Sequence, residues 1–184
     1  MNRIVVVNWV AVDGIFSGPD GETDWFTPDE ELASENLQNL PKASTILFGR
    51  VTFKMMEAFW PTQEARSRFP EIAAYMNGAE KHTFSTTVNS SSWQNSYFHK
   101  EISRETVTAI KETAKGDIVI LGSGDVSMAL HRLGLIDEYS LILDPQLLGA
   151  GKPFFRNINR TALQLLDARV FPSGTVCLNY KVIK

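Results

Sequence analysis

The stretch Ile118-Val119-Ile120-Leu121-Gly122-Ser123-Gly124-Asp125-Val126 decides the fold class. Four consecutive apolar residues, three of them β-branched, read as a strand buried on both faces. Gly122-Ser123-Gly124 interrupts that strand. Val126, Ala129, Leu130 and Leu133 then recur at helical spacing until Gly134 stops the helix. A buried strand passing through a glycine turn into a helix is the repeating unit of a parallel sheet.

The same unit recurs upstream. Residues 4–12 form a nearly continuous Val-rich strand, followed by a loop over 13–25 that holds Gly14, Gly18, Pro19 and Gly21. Thr27-Pro28-Asp29-Glu30 reads as a helix start, with Thr27 as N-cap, Pro28 as the first helical residue and Glu30 completing a capping box. Residues 46–48 make a short strand ending at Gly49-Arg50, and the next helix places Val51, Met55, Ala58 and Phe59 on one stripe. Ile72, Ala73 and Met76 mark another helix, 82–84 a strand, and 103–115 a helix capped by Ser103. Residues 139–143, 163–171 and 175–182 read as strands, the last two joined at Pro172-Ser173-Gly174. This pattern predicts an α/β fold: a mostly parallel sheet covered by helices, with an antiparallel hairpin at its end. With no internal repeat and no linker, residues 1–184 read as one domain.

Composition narrows the function. Hydrophobic residues make up 43% and charged residues 21% of the 184, as in an ordinary globular chain. The net charge of −3 and the lack of any Lys/Arg run argue against nucleic acid or anionic membrane as partner. Cys177 is the single cysteine, so no intrachain disulfide forms, and its alternating surroundings read as strand. No apolar run approaches the ~18 residues that span a bilayer, and residues 1–12 show no small-residue cleavage site, so a cytoplasmic protein is expected. His82, His99 and His131 lack metal-ligand spacing, and no metal is expected.

The chemistry concentrates at the two strand-to-helix junctions, Gly49-Arg50-Val51-Thr52 and Gly122-Ser123-Gly124-Asp125-Val126. A helix N-terminus offers unpaired N–H groups and a partial positive charge, glycine admits close backbone approach, and Arg50 can clamp a phosphate. Open α/β sheets bind ligands at the carboxyl ends of their strands, where both junctions belong. Gly122-Ser123-Gly124 lacks the later glycine of the Rossmann fingerprint, which excludes that reading.

Taken together, these residues resemble the dihydrofolate reductase-like proteins related to the C-terminal reductase domain of the bifunctional riboflavin-biosynthesis enzyme. The resemblance is carried by Val12-Asp13-Gly14, Gly18-Pro19-Asp20-Gly21-Glu22 with Asp24-Trp25, and Gly49-Arg50-Val51-Thr52-Phe53 with Met56. It continues through Phe84-Ser85, 120–124, 134–139, and Leu148-Gly149-Ala150-Gly151-Lys152-Pro153 with Phe155, in order along the chain. Only one cysteine is present, so the zinc deaminase half of that enzyme is absent.

The resemblance implies a three-layer dihydrofolate reductase-like fold, with helices on both faces of the sheet, and NADPH lying across it. Gly49, Arg50 and Thr52 would hold phosphates, Ser85 would sit near the adenosine, and Gly122, Ser123, Gly124 and Val126 would cradle the pyrophosphate. The loop from Val12 to Gly18 would close over the nicotinamide. Relatives often follow Phe-Ser with an arginine for the 2′-phosphate, but here the residue is Thr86, which leaves NADH open as the alternative cofactor. The proton donor has two candidates. Glu30 matches the acid on the first helix, though the capping box gives it a simpler role, and Asp13 in the loop is first of all a turn residue. Trp25 and Phe59 are candidate walls of a substrate pocket. The resemblance implies a reductase of a small planar heterocycle (pterin, flavin or pyrimidinone) and a homodimer using the 148–153 loop and the strand before it. The competing reading is a nucleotide-binding module that kept the cofactor site and lost catalysis.

Overall fold

The structure, a computed structural model, describes residues 2–39 and 43–184. In chain order its elements are β1 (Ile4–Ala11), β2 (Ile15–Ser17), α1 (Glu30–Asn39), β3 (Ala43–Gly49), α2 (Arg50–Phe59), α3 (Gln63–Arg68), α4 (Pro70–Gly78) and β4 (Glu80–Phe84). They continue with β5 (Ser96–His99), α5 (Arg104–Thr113), β6 (Asp117–Leu121), α6 (Gly124–Arg132), β7 (Glu138–Asp144), β8 (Lys152–Pro153), β9 (Leu163–Val170) and β10 (Val176–Val182). Eight strands form one sheet in the order β5-β4-β3-β6-β1-β7-β10-β9. The first six run parallel, and β10 pairs antiparallel with both β7 and β9. This is the expected α/β architecture, with the C-terminal antiparallel hairpin turning at 172–174 through Gly174 N–H donating to Phe171 O.

Strand alternation sorts the core into layers. Ile118 and Ile120 of β6 pack with Val107 and Ile110 of α5 and Val126 and Leu130 of α6 on one face. Val119 turns to the other face, against Phe53 of α2 and Met76 of α4. Leu32 of α1 covers Ile142, Phe171 and Cys177 at the β7–β10 end. The short β2 and β8 form a separate two-stranded ribbon above the carboxyl end of β1.

Two local expectations change. The cap of α1 is Asp29, not Thr27: Asp29 Oδ1 accepts the Leu32 N–H at 2.9 Å, and Ala33 N–H donates to Asp29 O. The Thr27 amide and hydroxyl are instead engaged by Asp144, 2.8 and 2.9 Å away, so Glu30 becomes the first residue of the helix and completes no capping box. The stripe on α2 is also reassigned. Phe53 is the buried side chain of that helix, whereas Val51 and Met55 remain 70% and 47% exposed and Ala58 is exposed.

Among the described residues, no helix is long and apolar enough to cross a membrane.

Candidate active site

At the carboxyl ends of β1, β3 and β6 the sheet opens into a cleft of about 780 Å3. The topology dictates its place. β1 and β3 flank β6, so their following segments leave in different directions and part above the sheet. Gly49, Arg50 and Thr52 line one wall of the cleft, and Gly122, Ser123, Gly124 and Val126 the other. The two junctions touch: Gly49 N–H donates to Ser123 Oγ at 3.0 Å. A Cβ on Gly49 would stand 3.4 Å from Val126 Cγ2. Gly122 takes a positive φ of 62°, which turns the chain from β6 into α6.

Helix capping separates these junctions from the rest of the fold. Ser103 caps α5, Thr62 caps α3 and Asp29 caps α1, each through a side-chain oxygen. The N-termini of α2 and α6 receive no side-chain cap, and both open onto the cleft. Away from the cleft, α4 also lacks a side-chain cap but begins with Pro70, which has no N–H to satisfy. Two uncapped helix starts facing one cavity leave N–H groups free for an anionic ligand.

Cations outnumber acids around this cleft. Arg50, Lys152 and Arg156 line it, and Asp125 is its sole carboxylate among the described residues. Asp125 pairs with Arg156 at the start of α6. Arg156 also donates to Pro153 O at 2.9 Å and places its guanidinium 5.7 Å from the Phe16 ring centroid. Beyond the junctions, the cleft is walled by Trp9, Phe26, Val51, Met55 and Met56, with the Trp9 and Phe26 rings 5.2 Å apart.

The remaining expected site residues lie outside the cleft lining. Glu30 is exposed at the first turn of α1. Asp13 accepts the Gly149 N–H at 2.8 Å, and that bond holds its carboxyl below the usual aspartate range. Val12 is exposed, with its amide bonded to Gln146 O, and Gly18 closes a turn by donating to Glu22 O. Ser85 Oγ accepts the Thr87 and Val88 amides in the turn after β4, and Thr86 is exposed there. Trp25 backs the cleft indirectly, edge-on to Phe26 at 4.6 Å. Phe59 packs with Trp60 and Phe69 at the far end of α2.

Other lining residues escaped the sequence reading. Asn8 is 4% exposed within an otherwise apolar strand, and such a buried polar residue was itself a signal. Phe16 belongs to the 12–18 loop already expected over the nicotinamide, whereas Lys152 and Arg156 arrive on β8 and the loop after it, which no local pattern connects to α6.

Comparison with known proteins settles the family. Residues 3–177 match the RibD C-terminal domain family. The chain belongs to that family. Its curated relatives include the uncharacterized protein YyaP of Bacillus subtilis, 31% identical over 97% of this chain and 94% of that protein. This RibD C-terminal domain also superposes on a putative riboflavin biosynthesis protein from Shewanella sp. PV-4, with TM-score 0.79, 16% identity and 99% of each chain covered. Dihydrofolate reductase from Enterococcus faecalis, complexed with NADP(H), gives TM-score 0.63 at 16% identity over 99% of this chain and 97% of that one. The dihydrofolate reductase-like fold is thereby established for this member of the RibD C-terminal domain family.

Proposed function

We propose that this protein is an NADPH-dependent reductase that passes hydride to a small planar heterocycle. The observation that carries this reading is the pair of uncapped helix starts, α2 and α6, meeting across the cleft with Arg50 at its edge. A dinucleotide fits such a place. Its pyrophosphate would lie against Gly122-Ser123-Gly124, and a second phosphate against Gly49, Arg50 and Thr52. The nicotinamide, when bound, supplies the hydride. The chain's own work is alignment and water exclusion by Trp9, Phe26, Val51 and Met55.

A non-catalytic nucleotide-binding module is the second reading. It is favoured by the position of Glu30 and Asp13, neither of which lines the cleft. Proton delivery from water keeps the first reading intact, because hydride transfer needs donor and acceptor aligned before it needs a dedicated acid. Titrating NADPH against the fluorescence of the four tryptophans tests both readings. Quenching that saturates at micromolar cofactor is expected, and no binding at high micromolar would overturn them. NADPH oxidation with a panel of pterins, flavins and pyrimidinones then separates the two.

We also propose that the protein pairs as a homodimer in the cytoplasm. The edge strand β9 is exposed at all eight positions, including Leu165, Leu166 and Val170, and an apolar open edge favours pairing with a second copy. The buried free thiol of Cys177 suits a reducing compartment. Light scattering at micromolar concentration should give twice the chain mass; a monomer would remove the dimer proposal.

A further inference from the structure

We infer that the acceptor taken by this cleft is an uncharged flat ring of the isoalloxazine type, and not a 2-amino-4-oxo-pteridine. The inference rests on the cofactor reading above and names the acceptor for the same site. It starts from the carboxylates. A pteridine or a 2,4-diaminopyrimidine presents adjacent N–H donors on one edge, and a carboxylate satisfies such a pair. Asp125, the one carboxylate lining the cleft among the described residues, is committed to Arg156 on the cofactor side. Asp144 is fully buried and spent on Thr27 and on Gln146, whose Nε2 donates to it at 2.8 Å. Asp13 accepts from Gly149, and Glu30 is exposed on α1.

The wall left for the acceptor is largely apolar and, among the described residues, offers it no free carboxylate. Trp9 and Phe26 present tilted rings, and the exposed side chains of Met55 and Val51 line the same cleft. The polar side chains among them include Asn8, Thr23 and Lys152, none of them a carboxylate; Asn8 Nδ2 already donates to Trp9 O, and Lys152 Nζ lies 4.0 Å from where a Cβ on Gly21 would stand. An isoalloxazine offers a broad π face and a methylated edge to this wall, and thioether sulfur and aromatic rings pack well against both. An isoalloxazine brings one ring N–H to this wall, whereas a pteridine adds an exocyclic amine whose donors stay unpaired, at about 1–3 kcal/mol for each buried group.

The step balances without a further reagent. One hydride leaves the dihydronicotinamide carbon and bonds to the central-ring nitrogen of the acceptor. Water gives one proton to the other reducible ring nitrogen and is left as hydroxide, and the products are oxidised nicotinamide and the dihydro ring.

The test uses lumiflavin and dihydrofolate as acceptors with NADPH, under anaerobic conditions. Before any turnover, lumiflavin fluorescence should quench on binding the cofactor-free protein, and a 2,4-diaminopyrimidine should not reverse the quench. Met55→Glu should weaken lumiflavin binding at least about tenfold by placing a charge on the apolar wall, while NADPH still quenches tryptophan emission. In turnover, kcat/KM for lumiflavin should exceed that for dihydrofolate by about a hundredfold or more. Equal or faster reduction of dihydrofolate overturns the inference. So does NADPH binding with no lumiflavin binding, which would leave the cofactor reading standing. Failure of NADPH itself to bind overturns both.

Discussion

The ring of Phe16 lies against the α carbon of Gly124: a methyl group there would stand 2.6 Å from Cζ and 3.0 Å from Cε2. The second glycine junction is thus covered by a residue of β2, which Phe154 meets edge-on at 5.6 Å and Arg156 overlies. β2 in turn pairs with β8, which joins the loop after strand one and the 148–156 segment into one unit. Gly124→Ala should push Phe16 away and cost about 1–3 kcal/mol, read as a fall in Tm. Adding Phe16→Ala should recover most of that loss, and a double-mutant cycle with no coupling would show that the contact is not tight.

Asp13 ties the two halves of this unit together through the Gly149 amide. That role and a catalytic one separate cleanly. Asp13→Asn keeps an acceptor oxygen and should leave turnover within about twofold, whereas Asp13→Ala should raise KM for the cofactor and expose residues 13–25 to protease. Glu30→Gln should change neither. Loss of kcat in Asp13→Asn with unchanged KM would instead identify Asp13 as the proton donor. The depressed carboxyl value sets a pH sign. The bond contributes stability above the ordinary aspartate range and is lost as pH falls through the folded value, so protease sensitivity should rise on acidification.

The layers of the fold were legible because apolar runs and capping residues are local. Ser103 does cap α5, and residues 118–126 do form strand, turn and helix. Thr27 was misread because its partner, Asp144, lies 117 residues away, and no local rule anticipates it. Helical periodicity identified Val51 and Met55 as one face of α2 but is silent on whether that face meets a core or a ligand. It meets the cleft, while Phe53 between them fills the core. The short β2, β5, β8 and α3 carry too few residues for any period to register. Arg156 joins the site only because the β2–β8 ribbon brings its loop back over α6.

Acid stability should report on the His82–His99 pair. Their ring nitrogens are 2.9 Å apart, His82 is 8% exposed, and Tyr97, Phe84 and Glu80 complete the surroundings. Burial, with the neighbouring His99 cation, pushes His82 down to about 4, and burial lowers His99 as well. The unfolded chain therefore binds more protons than the folded protein between pH ~6.5 and ~4, and stability falls as pH drops through that window. Urea midpoints should decline across it in the native sequence and decline less steeply in His82→Phe. Parallel curves would assign the acid limb to other groups.

Arg50 is the residue on which the proposed preference for NADPH over NADH turns. It is exposed at the first position of α2, lines the cleft, and has no ion-pair partner among the described residues. The turn after β4 offers Thr86 in place of a cation, so a 2′-phosphate reaching that side has Arg50 as its candidate partner. A charge-assisted contact of this kind contributes about 1.5–3 kcal/mol when well formed, and exposure places Arg50 at the lower end. Arg50→Ala should thus weaken NADPH about tenfold and NADH much less, with added salt eroding the NADPH advantage of the native protein. Arg50→Lys keeps the charge but not the planar fork, and should recover only part of the loss. Equal weakening of NADPH and NADH in Arg50→Ala would move Arg50 from the 2′-phosphate to the pyrophosphate that both cofactors share.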